Sequence, residues 1–338
     1  MKTVCVYHSV DLDGWMSAAI VKKWFFEKTP DPKMTGIDLD KYKGVMEGAE
    51  SAGNWNVLDF CGFNYGQPVP CLSGYDWVIM CDISFPAMDM INLDTKLTWI
   101  DHHVSAIKDV DIAIRNNASL GAAELNGLRD VKFAACELTW KYLFPDESMP
   151  EIVRLLGRYD CFGHKGTDEE RYVLEFQYGA RASISNYDEA YSRLTKSILD
   201  QQKNNPFYVE NAIHDNGVAI YKYLCQEAKQ IYTTKFDLVF YKQTQESGDL
   251  LNNTPSIYKF AAINRERFNP INFGIDYHAG GYDGVACFYR RSDGKWTFSL
   301  YNDNGNVDCS VIAKTFGGGG HKGASGFVVE DINSILNK

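Results

Sequence analysis

Thr3-Val-Cys-Val-Tyr7 followed by His8-Ser-Val-Asp11-Leu-Asp13-Gly14 is the stretch on which the reading of the fold turns. An apolar run of strand length ends in an imidazole and two carboxylates. Gly14 then opens Trp15-Met-Ser-Ala-Ala-Ile-Val-Lys-Lys-Trp-Phe-Phe-Glu27, whose apolar positions recur with helical spacing and stop before Pro30. The chain therefore begins with a strand, an acidic turn and a helix. The design returns twice: Val78-Ile-Met-Cys81 runs into Asp82, and Leu97-Thr-Trp-Ile100 runs into Asp101-His102-His103. Three short apolar runs that each deliver carboxylate or imidazole at their ends predict one site along the edge of a parallel sheet, because open α/β sheets bind ligands outside the carboxyl ends of their strands. Carboxylate oxygens suit hard divalent cations and imidazole adds a nitrogen donor, so the pattern points to metal-dependent hydrolytic chemistry.

Each residue also has a plainer reading. Asp11 and Asp13 lie two apart, so in an extended segment their carboxylates point the same way, and Gly14 permits a sharp exit into the helix. They could coordinate cations or cap the helix; capping alone leaves His8 at the strand end unexplained. Asp82 by itself fits an ordinary turn former. Asp101-His102-His103 fits a hydrogen-bonded structural cluster, although adjacent imidazoles behind a buried strand are costly unless something uses them. Asp160, in Gly157-Arg-Tyr-Asp160, reads alone as a helix end, and His164 as a surface-loop histidine.

Further along, Asp38 to Gly53 is polar, Asn56-Val-Leu-Asp-Phe60 reads as a short strand, and a short helix is expected from Pro86. Residues 134–144 and 151–159 read as helices, the second delivering Asp160. Residues 187–232 are helical in pattern with a break at Asn204-Asn-Pro206, and from Lys235 the texture turns β-rich, with strands at 236–241, 258–263, 284–289 and 296–301. Ser292-Asp-Gly-Lys295 marks a hairpin turn. A helix over 308–316 then leads into Gly317-Gly-Gly-Gly-His321-Lys-Gly-Ala-Ser-Gly326. Consecutive glycines expose backbone N–H groups that can approach a phosphate, with imidazole and ammonium beside them. A flexible linker is the alternative, but a helix precedes the run and an apolar strand follows it. Asn302, Asp303 and Asn304 either shape that pocket or end a hairpin. Arg265 reads as a solvated charge before a phosphate contact.

Composition bounds the function. At 338 residues, two domains are the default. The formal charge of -10 disfavours a long nucleic acid or an anionic membrane as partner, and leaves a short anionic substrate to be held by metals and a few cations. Nine dispersed cysteines without C-x-x-C spacing read as reduced thiols and give no support to a zinc ribbon. No apolar leader or membrane-length segment is evident, so a cytoplasmic location is expected.

Taken in order, His8-x-x-Asp11-x-Asp13-Gly14, Asp82, Asp101-His102-His103 and Asp160 resemble the motifs of the DHH phosphoesterase superfamily, and Gly317-Gly-Gly-Gly-His321 is similar to the signature of the DHH-associated C-terminal domain. That group includes nanoRNases, oligoribonucleases and exopolyphosphatase-related enzymes. The resemblance implies an α/β protein of two domains with the active site in the cleft between them. Residues 1–190 would form a parallel-sheet catalytic, metal-binding domain, 191–232 a helical connector, and 233–338 a smaller mixed α/β substrate-binding domain. It further implies two divalent cations, manganese before magnesium. His8, Asp11 and Asp82 would hold one; Asp13, Asp82, His102 and Asp160 would hold the other, with Asp82 shared. Asp82, Asp101 and His103 would be the catalytic set, His103 facing the phosphate and Asp101 orienting the imidazoles. Gly318, Gly319, Gly320, His321 and Lys322 would bind substrate. The implied activity is a phosphodiesterase that cleaves short oligonucleotides or small nucleotides with a metal-activated water. A phosphomonoesterase or exopolyphosphatase is the alternative, and a non-catalytic nucleotide-binding module a third. One departure stands out: the serine-leucine-arginine-serine segment common before the glycine loop reads here Ser299-Leu-Tyr301-Asn302, without the arginine that would clamp a phosphate.

Overall fold

The computed structural model describes residues 1–30, 32–33, 56–116, 125–203, 208–241, 257–266 and 268–336. The chain divides into two compact units, Met1–Ile220 and Tyr221–Lys338. The polar stretch 38–53 and the break at 204–206 lie outside the described residues.

The first unit is built on a five-stranded parallel sheet in the order β2-β3-β1-β4-β5, comprising β1 (Lys2–His8), β2 (Pro32–Lys33), β3 (Asn56–Phe63), β4 (Trp77–Cys81) and β5 (Lys96–Ile100). Both faces are covered, which explains why β1 and β4 are almost wholly apolar. Alternation along β1 sends Cys5 and Tyr7 into one core and Val4 and Val6 into the other. In β4, Ile79 and Cys81 join the first core, and Val78 and Met80 the second. The first core is roofed by α1 (Leu12–Lys28), with residues of α4 (Ala135–Leu143), α5 (Glu151–Asp160), α6 (Glu170–Ser183), α7 (Tyr187–Gln202) and α8 (Tyr208–Tyr232). The second is covered by α2 (Ala87–Ile91) and α3 (Val104–Asn116). The expected helix after Gly14, the strand at 56–60, the short helix after Pro86 and the helices at 134–144 and 151–159 all form, with bounds shifted by a few residues. Helices α3 and α6 have no counterpart in the sequence reading. Val110 is the one fully buried residue of α3 among those described, so its apolar signal is thin.

Gly14 sets how the first helix leaves the sheet. A Cβ there would lie 1.9 Å from the carbonyl oxygen of His8. Only glycine lets the first turn of α1 approach the end of β1 so closely, and that approach brings Asp11 beside His8.

The second unit carries a mixed sheet in the order β10-β11-β9-β8-β7-β6: β6 (Phe236–Tyr241), β7 (Ile257–Asn264), β8 (Gly284–Arg290), β9 (Trp296–Tyr301), β10 (Gly319–His321) and β11 (Ala324–Val329). Among the described residues of this sheet, β7 and β8 pair in parallel and the other neighbours antiparallel. A core of Phe260, Phe288, Phe298 and Phe327 packs on α9 (Cys309–Thr315) and α10 (Asn333–Leu336). The β8–β9 hairpin forms where Ser292-Asp-Gly-Lys295 places it, Arg291 N–H donating to the Lys295 carbonyl at 2.7 Å. The protein is thus of the mixed α/β class, with a parallel sheet in the first unit and a mixed one in the second.

Candidate metal centre

The carboxyl ends of β1, β4 and β5 converge. His8 closes β1, Asp82 follows β4 and Asp101-His102-His103 follows β5, while α1 supplies Asp13 and its capping residue Asp11, and α5 ends in Asp160. Three groups of ligating atoms result in the first unit: His8 with Asp11 and Asp82, Asp13 with His102 and Asp160, and Asp82 with Asp101 and His103. Atoms within each group lie within 4.8 Å of one another. Asp82 stands between the first two: its Oδ2 is 3.5 Å from His8 Nδ1 and its Oδ1 is 3.4 Å from His102 Nε2. His102 Nε2 also lies 3.4 Å from Asp160 Oδ2 and 3.7 Å from Asp13 Oδ2.

Asp11 combines the two roles left open by the sequence. Its Oδ1 accepts the Gly14 N–H at 3.0 Å and caps α1, and its Oδ2 sits 3.1 Å from His8 Nδ1. Asp13 is buried and fixed from across the fold, accepting N–H groups of Ala135 and Cys136 at 2.9 and 2.8 Å. These are the first amides of α4, a helix end that favours an anion. Glu137 holds that end in place by accepting the Ala134 N–H at 3.1 Å. In the sequence this anchor shows only as Glu137 three residues after Ala134 on an apolar run, part of a helix-start signal.

Asp101 is fully buried. Its Oδ1 accepts from the backbone N–H of His102 and of His103, and meets His103 Nδ1 at 2.7 Å; its Oδ2 accepts the Trp99 indole N–H at 3.2 Å. The carboxylate thus fixes the ring of His103 and the backbone of His102. Asp82 adopts φ 61°, a left-handed conformation that aspartate tolerates better than most residues. That kink turns its carboxylate inward from the end of a straight strand.

The electrostatics are those of a crowded anionic cluster. Burial alone would lower the His8 and His102 imidazoles, but Asp11 and Asp82 at the first, and Asp82, Asp160 and Asp13 at the second, push each up to about 11. His103 is raised too, by Asp101 against the effect of burial. Burial would raise Asp82, yet His102 and His8 bring it below the usual carboxylate range. Loss of water and the neighbouring Asp82 and Asp11 carboxylates push Asp160 up to about 6 against the pull of His102. Asp13 is raised by burial and then by Asp82 and Asp160. The donor set fits divalent cations: Asp11, Asp13, Asp82 and Asp160 gather around the His8 and His102 imidazoles, and buried His8 Nδ1 is aimed at two of these carboxylates, 3.1 and 3.5 Å away.

His164 departs from expectation. It is 1% exposed, stacked on Tyr159 at 5.4 Å, with Nδ1 at 2.9 Å from the Arg158 carbonyl. It is a buried histidine that packs the turn after Asp160, because the chain folds back there through Phe162 at φ 57°. Tyr65, which the sequence reading did not single out, has its ring 6.2 Å from His8 and 6.1 Å from His103.

In the second unit, the glycine run forms a hairpin. Gly319, Gly320 and His321 pair with Gly326, Ser325 and Ala324. The Gly317 and Gly318 amides donate to the Lys314 and Ala313 carbonyls, closing α9. A Cβ on Gly318 would lie 2.1 Å from the Gly326 carbonyl oxygen, so close strand approach requires glycine there. Lys322 bridges back to α9 through its carbonyl, which accepts the Cys309 N–H at 2.9 Å. Asn302 is buried, its amide donating to the Asp283 carbonyl and its oxygen accepting the Gly305 N–H, so it shapes the loop after β9. Arg265 pairs with Glu227 at 3.2 Å.

No family model matches the chain. An uncharacterized protein, R106, of Acanthamoeba polyphaga mimivirus is 26% identical over 98% of this chain and 69% of its own length. Among solved structures, an exopolyphosphatase-related protein from Bacteroides fragilis aligns at TM-score 0.46 and 12% identity over 96% of this chain and 86% of its own. The pGpG-specific phosphodiesterase PggH from Vibrio cholerae aligns at TM-score 0.42 and 12% identity, over 99% and 95%. Exonuclease RecJ bound to manganese aligns at 0.40 and 14%, over 98% and 87%. Likeness at this level assigns no activity to the chain.

Proposed function

We propose that the chain is a phosphoester hydrolase of the DHH type, dependent on two divalent cations, that cleaves short oligonucleotides or small nucleotides. One observation carries the reading: two groups of ligating side chains at the carboxyl edge of one parallel sheet, with Asp82 reaching both. His8, Asp11 and Asp82 would hold one cation, and Asp13, Asp82, His102 and Asp160 the other, manganese or magnesium being the fitting ions.

When bound, such cations lower the pKa of water and neutralise charge on a phosphate. The chain's own groups prepare that chemistry. Asp82 ties the two halves together, and the α4 amides hold Asp13 in one orientation. Asp101 raises the His103 imidazole and fixes its ring, so that its N–H groups can meet negative charge developing on the phosphate. In this reading residues 1–190 carry catalysis, 191–232 connect, and 233–338 select substrate through Gly318, Gly319, Gly320, His321 and Lys322. The charge of -10 favours a short substrate over a tracked polymer.

The test is a panel of dinucleotides, a five-nucleotide RNA, adenosine bisphosphate, cyclic dinucleotides and short polyphosphate, offered to the manganese-loaded chain. Mononucleotide release from the short RNAs is expected. Turnover of bisphosphate or polyphosphate alone would replace the phosphodiesterase reading with a phosphomonoesterase or polyphosphatase, and silence across the panel would leave a binding module.

A further inference from the structure

Beside the metal-ligand groups, and wholly within the first unit, lies a cavity of ≈ 520 Å³. Its size falls in the range of small-molecule sites. Three of its lining residues tie it to the candidate centre. Tyr65 lines it and faces both His8 and His103; Ser84 comes two residues after Asp82, and Ser105 two residues after His103. The Tyr65 ring is itself exposed, so it can meet a bound molecule. The floor is aromatic, Phe63 and Phe85 meeting edge to face at 5.0 Å. No lysine or arginine lines it among the described residues, and its one charged group is the Asp109 carboxylate.

We infer that this cavity is a nucleobase pocket, seating the base next to the phosphate to be cleaved. The inference rests on the phosphoesterase reading and narrows its substrate class. A second phosphate or a polyphosphate chain would enter an aromatic, uncharged slot beside a carboxylate, with no cation to balance it. A planar, neutral heterocycle suits the exposed Tyr65 ring above the apolar floor that the edges of Phe63 and Phe85 give, since every base has a face that stacks. Asp109 accepts hydrogen bonds only, so it selects bases whose edge carries N–H groups. Polyphosphate is accordingly a poor substrate, and the pocket is where discrimination against it arises.

The experiment compares a dinucleotide with analogues that are abasic on either side, using the full manganese-loaded chain and an Ala106→Phe variant, which fills the cavity from its α3 wall. Removing the seated base should lower wild-type kcat/KM about tenfold. Ala106→Phe should lower turnover of the intact dinucleotide by a similar factor and leave that of the matching abasic analogue unchanged. Equal wild-type turnover of intact and abasic substrates would overturn the pocket while the hydrolase reading stood. Should no substrate turn over, the hydrolase reading fails, and adenosine and guanosine binding by saturation-transfer NMR decides the pocket. Nucleoside binding that Ala106→Phe abolishes supports it; no binding to the wild type overturns it. Asp109→Asn, at an exposed helical position, guards against a misfolded Ala106 variant. It should change the ranking of adenosine, guanosine and uridine, and an unchanged ranking would remove Asp109 from the pocket.

Discussion

The carboxyl edge of the parallel sheet and the glycine hairpin of the second unit were equally conspicuous in the sequence, and they differ in how the fold uses them. At the sheet edge, side chains carry the chemistry. Asp13, Asp82, Asp101 and His102 are buried among one another, backbone amides and neighbouring polar side chains. In the hairpin, backbone is the feature, and much of it is engaged in closing α9 and pairing β10 with β11. Buried charges are costly unless paired or bound to metal, so they report on function more directly than glycines, which also serve close packing.

The comparison can be broken most forcefully at Asp82. Asp82→Asn keeps a residue that tolerates the left-handed backbone while removing the shared carboxylate charge. Hydrolysis should fall by more than the about 100-fold that a supporting residue typically costs, and metal content, read by elemental analysis, should fall with it at an unchanged circular dichroism spectrum. Wild-type turnover would sink the shared-ligand assignment.

Proton release sharpens the same point. Without cations, His8 and His102 keep their protons up to about 11, whereas a coordinating imidazole must be neutral. Both folded values are raised, so the stability these protons give the cation-free fold is complete below pH 6.5 and is lost as pH rises through about 11. Manganese binding near neutral pH should therefore release protons and tighten as pH rises, by up to about tenfold per pH unit for each proton displaced. Calorimetry in two buffers of different ionisation enthalpy measures the number. No release would mean that neither histidine is a ligand.

Asp101→Asn comes next. It weakens the acceptor that holds His103 and should lower activity about 10- to 100-fold, with metal content largely kept and the pH profile shifted as His103 loses its proton more easily. The smallest effects set two glycines against each other. Gly14→Ala and Gly318→Ala should each cost about 1–3 kcal/mol by overpacking, read as Tm. Only Gly14→Ala should also impair metal loading, since its Cβ would push His8 away from Asp11. Equal loss of metal in both variants would erase the distinction between the two regions.

Much of the first unit was legible because a parallel strand covered on both faces must be apolar, and its polar residues can appear only at its end. That rule exposes His8, Asp82 and Asp101-His102-His103 without any contact being known. Helices α3 and α6 escaped because their apolar residues are interleaved with charge. His164 reads as a surface residue in the sequence yet is buried, because exposure depends on what the chain folds back upon, here Tyr159 and the Arg158 carbonyl.

By itself the sequence determined the class of fold, the acidic and imidazole donors and their order along the chain, since strand and helix periodicity and the cost of buried charge are local properties. Tertiary structure alone decided which donors meet. Asp13 acquires its amide partners from residues more than a hundred positions away, Tyr65 reaches the histidines from the end of another strand, and Asp82 turns inward through one unusual backbone angle. Such contacts depend on strand order and on the angle at which helices leave the sheet, and neither is written in any single stretch of residues.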